Sequence, residues 1–159
     1  MKITTMTKTA VATVGMAMIA FASAPIATSA HPVNGKLGNE LTMTDSVGQV
    51  LLGWRVSDLK SSADTIPGYP VTGQLWEATA TVNAIEGTVT PAISRFNART
   101  TDGIDYRVLW QAATPNTISG ATIPQGAQST GKIYFDVTGP QPTIVAMNNG
   151  MEDLLVWGP

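Results

Sequence analysis

The sequence contains no cysteine and a single histidine, His31. The first absence excludes disulfides, a lipid-modified N-terminal cysteine, thiolate metal sites and a Cys–His nucleophile pair. The second leaves no zinc cluster. It also leaves no Ser–His–Asp triad on a rigid element, because His31 precedes Pro32 close to the expected mature terminus, where a fixed catalytic geometry is hard to hold. His31 therefore marks where the working protein begins. Charge is scarce as well, at 13% of residues, and no block of like charge occurs. This removes a basic groove for nucleic acid and a polybasic patch for anionic lipid. No cofactor-binding motif is present, so no cofactor and no bound metal are expected.

What is present begins with a targeting signal. Lys2 and Lys8 form a short basic start, and no Lys, Arg, Asp or Glu follows from Thr9 to Gly35. The weakly hydrophobic stretch AVATVGMAMIAFASA at 10–24 ends at Pro25 and is followed by small residues. That order is the one used by secretory signal peptides. Residues 1–29 are read as the signal, with cleavage after Ser29 or Ala30; residues 30–159 are read as one domain. The Ala-rich core falls short of a stable membrane span, so no lasting membrane insertion is expected. The lack of twin arginines favours the general secretion route. Removing Lys2 and Lys8 leaves seven basic residues against eleven acidic ones, a mature charge of about −4.

The mature chain is rich in Thr, Val and Ile and is punctuated by Gly and Pro, a composition suited to pleated strands. Period-two alternation places Val50, Leu52, Trp54 and Val56 on one face of VLLGWRVSD. It does the same for Trp76, Ala78, Ala80 and Val82 in QLWEATATVNA, for Ile104, Tyr106, Val108 and Trp110 in GIDYRVLWQA, and for Ile133, Phe135 and Val137 in KIYFDV. Turn signals such as Asp102-Gly103 and Asn149-Gly150 separate the runs. The expected fold is all-β, a two-sheet sandwich with Greek-key connections. Residues 57–70 and 113–130 read as long loops, the second with one short strand near its middle. Trp54, Trp76 and Trp110 are expected in the core, each indole N–H with a partner, and Trp157 is left open.

Glu77, Asp105 and Asp136 lie on the polar sides of strands, beside Thr, Arg or Lys. A glycosidase needs only two carboxylates at a set separation, but solvated faces with cross-strand ion pairs explain these three better. NNGMED gathers oxygen donors without the order of an EF-hand loop and reads as a hairpin.

Taken together, the segments GKLG, VSDLKSS, WEATATVNAI, YRVLWQAA, TGKIYFDVTGP and AMNNGMEDLL resemble the immunogenic protein sixty-three family (MPT/MPB type) of antigens secreted by mycobacteria. The resemblance runs from the signal peptide to the C-terminus. It implies an immunoglobulin-like sandwich, secretion to the extracellular space and recognition by host immunity, and it brings no catalytic motif. By fold analogy it implies a binding role toward a host or cell-surface protein. The expected function is a secreted, non-enzymatic interaction module. A carboxylate-dependent hydrolase and a carrier of a small apolar ligand remain as alternatives.

Overall fold

The computed structural model describes residues 32–45 and 48–159. His31 and the signal segment 1–29 lie outside the described residues. Nine strands follow in chain order: β1 (Val33–Lys36), β2 (Glu40–Thr44), β3 (Leu51–Ser61), β4 (Gln74–Glu86), β5 (Phe96–Arg99), β6 (Asp105–Arg107), β7 (Gln128–Val137), β8 (Ile144–Asn148) and β9 (Asp153–Gly158). One 3-10 turn, Ile93–Arg95, leads into β5. The strands form a five-stranded sheet in the order β1-β9-β8-β5-β6 and a four-stranded sheet in the order β2-β3-β4-β7. After β4 the chain crosses to β5 and β6, returns to β7 beside β4, and crosses again to β8 beside β5. This interlock is the immunoglobulin-like Greek-key sandwich. All pairings are antiparallel except that of β1 with β9, which is parallel.

The alternation carries through to packing. Trp54, Val56, Ala80, Val82, Phe96, Phe135, Val145, Leu155 and Trp157 are fully buried between the sheets. Trp54 meets Phe96 edge to face at 4.9 Å, and Phe96 lies 6.2 Å from Trp157. Trp157 donates to the Asn39 carbonyl at 3.0 Å. The indole N–H groups of Trp54 and Trp76 meet no acceptor among the described residues, against the expectation of a partner for each. Packing against large apolar neighbours outweighs one unmade hydrogen bond at each.

Three expectations change. Trp110 is not in the core; it is 60% exposed. Its strand ends early. β6 stops at Arg107, Val108 bridges to Phe135 of the opposite sheet, and the Leu109 N–H bonds the Tyr134 carbonyl at 2.8 Å. A tight turn then closes through the Ala112 N–H to the Leu109 carbonyl at 2.9 Å, leaving Trp110 at its corner. Ile104, at the other end of the same run, is exposed too.

Second, β3 continues to Ser61 where a loop was expected from Ser57. Asp58 adopts φ 54° at a register shift between Ser57 and Lys60. That bulge inserts one residue and destroys the alternation that would have revealed the strand. The loop proper spans 62–73. Third, residues 113–127 hold no strand, only single bridges of Thr117 to Lys132 and of Ile123 to Val89. Gln128 and the residues after it belong to β7.

Candidate functional site

β4 and β7 are neighbours, with Glu77 opposite Tyr134, Thr79 opposite Lys132 and Leu75 opposite Asp136. Their outer face is not solvated as expected. Leu75, Tyr134, Ile66 and Ala112 form a second apolar cluster there, joined by Val71 and Leu109. Loop 62–73 and turn 109–112 supply its lid.

Glu77 is 6% exposed under this lid. It corrects the expectation of a solvated carboxylate: burial of an ionised group requires partners, and Glu77 has them. Lys132 Nζ stands 2.8 Å from its Oε2, Ser62 Oγ donates to the same oxygen, and Lys60 Nζ is 3.9 Å from Oε1. Lys132 also donates to Asp64 Oδ2 at 2.8 Å, and the Tyr134 hydroxyl donates to that oxygen at 2.7 Å. The Lys132 and Tyr134 hydrogen bonds hold the Asp64 carboxyl below its ordinary range. The hydrogen bond to Asp64, then that to Glu77, raises the Lys132 ammonium above the usual lysine value. Burial pushes the Tyr134 hydroxyl up. Asp64 was missed in the sequence because it lies in a loop with no periodicity to place it.

The other two carboxylates are separated from this network. Asp136 accepts from the Thr72 and Gly73 N–H groups at 2.9 and 2.8 Å, pinning the end of loop 62–73 to β7. Asp105 sits on the opposite sheet, where Arg99 Nε donates to it at 2.6 Å. Arg99 also forks onto Asp153 at 2.6 and 3.1 Å. The Arg99 hydrogen bonds lower the Asp153 carboxyl, and Asp153 followed by Asp105 raises the guanidinium further. The expected ion pair of Asp105 with a neighbouring basic residue is thus made with Arg99.

In NNGMED the oxygen donors turn inward on the hairpin. Asn149 Oδ1 accepts from the Met151 and Glu152 N–H groups at 2.9 and 3.0 Å, and Asn148 Nδ2 donates to Asp153 at 3.1 Å. Gly150 supplies the positive φ, 97°, that the turn demands. Among the described residues no three His, Cys, Asp or Glu side chains converge on a metal position.

Two open grooves stand out among the described residues. One, of about 610 Å³, lies at an end of the sandwich, lined by Met43, Val50, Leu52, Met147 and Leu154 with Asp45, Arg95 and Glu152 among its polar residues. The other, of about 450 Å³, runs beside Trp110, with Tyr134, Ile118 and Ile133 among its lining and Ile93 and Ser94 from the 3-10 turn. This second groove is built on the polar network. Tyr134 belongs to both, and Leu109 and Ala112, which flank the Trp110 corner, pack into the apolar cluster that the network helps to cover. Gly131 allows the last element to close in. A Cβ there would run into the Ile118 backbone nitrogen, so only glycine lets residues 117–118 lie against β7. The loop then bonds the strand edge through Ile118 N–H to the Lys132 carbonyl, 3.0 Å, and Lys132 N–H to the Asn116 carbonyl, 2.7 Å. Both carboxylates of the network, Glu77 and Asp64, are engaged by Lys132. What the site offers is an exposed indole on a turn anchored through Leu109 and Ala112, beside a cleft lined by uncharged residues.

Comparison with known proteins agrees with this fold. Residues 32–157 match a family described as a domain of unknown function, DUF1942. Over its whole length the chain is 78% identical to the immunogenic protein MPB63 of Mycobacterium bovis, and equally to the immunogenic protein MPT63 of Mycobacterium tuberculosis, covering 100% of each. The crystal structure of MPT63, a secreted protein from M. tuberculosis, superposes with a TM-score of 0.79 at 82% identity, covering 82% of this chain and 100% of that one. The yjhA protein of Bacillus subtilis shares the fold at 15% identity, with a TM-score of 0.52 over 74% of this chain and 83% of that one. The present chain is likewise a secreted, extracellular protein, and an antigen of the same immunogenic kind. It belongs to the DUF1942 family, together with the mycobacterial immunogenic proteins MPB63 and MPT63.

Proposed function

We propose that this antigen is a non-enzymatic recognition module, which engages a host or cell-surface protein through turn 109–112 and the groove beside it. One observation carries the proposal. Trp110 is 60% exposed on a turn whose two flanking residues, Leu109 and Ala112, are anchored in an apolar cluster. Large aromatic side chains dominate binding energy where they can be desolvated by a partner. An aromatic held in place before binding loses little conformational freedom on capture.

The alternatives draw less support. A hydrolase needs one carboxyl poised to give up a proton and a second kept ionised. Asp64 is held ionised, and the Lys132 ammonium that holds it also binds Glu77, which has Lys60 at its other oxygen. Asp105 is on the other sheet. A carrier needs an inter-sheet void, and that space is filled by Trp54, Phe96 and Trp157.

The test uses the secreted protein and its E77Q, D64N, D105N and D136N variants. Capture by host-cell surfaces, read by cross-linking and surface plasmon resonance, should persist in every variant that remains folded. A parallel screen of ester and glycan hydrolysis should give no turnover. Turnover abolished by one carboxylate-to-amide change would replace recognition with hydrolysis.

A further inference from the structure

We infer that the groove beside Trp110 is a binding site for an uncharged glycan, presented by the surface partner through its carbohydrate rather than its polypeptide. The inference rests on the recognition reading above and names the chemistry recognised.

The first ground is charge. No Asp, Glu, Lys or Arg lines the groove. A phosphate, a sulfate or a sialic acid carboxylate would enter without a counter-charge, and would pay its desolvation unrelieved. The second ground is the mixture of surfaces. Trp110 supplies a flat, exposed aromatic face, while Ser94 and Gln111, both exposed and both lining the groove, have side chains that make no hydrogen bond with the described residues. A pyranose ring matches this pairing. Its C–H face is apolar enough to stack on an indole, and its rim of hydroxyls both donates and accepts, as a serine hydroxyl and a primary amide require. At about 450 Å³ the groove falls within the size of small-ligand clefts, roughly 300–1,000 Å³.

The third ground separates sugar from peptide. An extended peptide usually gains affinity by adding a strand to a free sheet edge. Here the edge strand that lines the groove, β7, is already taken along this stretch. Leu109 N–H bonds the Tyr134 carbonyl, Ile118 N–H bonds the Lys132 carbonyl, and Lys132 N–H bonds the Asn116 carbonyl. An apolar protein patch would also require several anchors. The remaining exposed large apolar side chains, Tyr69, Ile85, Ile104 and Met151, do not line this groove. One aromatic face with neutral polar groups around it suits a sugar better than a protein surface.

The experiment begins with the purified secreted protein on immobilised neutral oligosaccharides (oligomannose, N-acetyllactosamine repeats, α-glucan) and on sialylated and sulfated counterparts. Trp54, Trp76 and Trp157 are buried. Iodide quenching of the intrinsic fluorescence therefore reports on Trp110, and a bound glycan should protect it. At least one neutral glycan should bind. W110A should weaken it by about ten-fold or more, while W110F, which keeps a flat ring, should retain most of the affinity and Q111A should lose part of it. The acidic counterparts should bind no better than the neutral chains. Absence of binding to every neutral glycan, or affinity unchanged in W110A, would overturn the inference. A cell arm isolates its failure from that of the recognition module. If enzymatic removal of surface glycans leaves capture intact while W110A abolishes it, the partner is bound through protein and the glycan inference alone falls. If W110A leaves capture intact, both fall.

Discussion

Lys132 Nζ lies 2.8 Å from Glu77 Oε2 beneath the lid of the β4–β7 outer face, and the same ammonium holds Asp64 of loop 62–73 at 2.8 Å. Two strands, β4 and β7, and loop 62–73 are tied at one point, where the Tyr134 hydroxyl also donates to Asp64. Glu77 joins β4 to β7 through Lys132, Asp136 pins the end of loop 62–73 to β7, and Asp105 pairs with Arg99 on the opposite sheet.

Glu77 should accordingly matter for stability and not for turnover. Glu77→Gln leaves a buried amide where Lys132 and Ser62 find a charged acceptor, and should destabilise the fold by about 1–3 kcal/mol. Urea unfolding measures this. A midpoint equal to that of the unaltered protein would mean that the network holds nothing.

Acid should weaken the protein through Asp64 and Asp153. Both carboxyls are lowered in the folded state, by Lys132 and Tyr134 in one case and chiefly by Arg99 in the other. The unfolded chain, with aspartates near about 3.9, takes up protons first as pH falls. The stabilisation is therefore complete above about pH 5 and drains away as pH drops through about 4 toward the folded values. Unfolding midpoints across that window should fall. D153N should start lower at neutral pH and show a shallower acid slope. An unchanged slope in D153N would contradict the assignment.

The tryptophans should divide by position. Trp54→Ala opens a cavity beside Phe96 and should cost about 3–5 kcal/mol. Trp110→Ala should remain within about 0.5 kcal/mol of the unaltered protein. Denaturation midpoints decide this; equal losses at both positions would place Trp110 in the core after all.

Export should leave a mature chain. Mass spectrometry of culture supernatant should find a protein beginning at Ala30 or His31. An intact chain starting at Met1 in a membrane fraction would refute cleavage.

Strands β3, β4 and β7 were legible from alternation, as in QLWEATATVNA. β1, β2 and β5 were not, because four or five residues give period two too few repeats to stand out. The end of β3 was hidden by the Asp58 bulge, which shifts the register without a glycine to announce it. The Trp110 site was illegible for a related reason. Trp110 continues the alternation of Tyr106 and Val108, and nothing local says that the chain leaves the sheet after Arg107. That departure is set by tertiary contacts, the bridge of Val108 to Phe135 and the close approach of residues 117–118 over Gly131. Burial of Glu77 was likewise invisible, since its cover comes from loop segments distant in sequence.

The central claim is that Trp110, exposed on its anchored turn, is the contact through which this secreted antigen recognises its partner. Its most direct test is the affinity of the purified secreted protein for intact host cells, measured side by side with W110A at matched unfolding midpoints. The account predicts binding weakened by about ten-fold or more with the fold intact; equal affinity for the two proteins would contradict it.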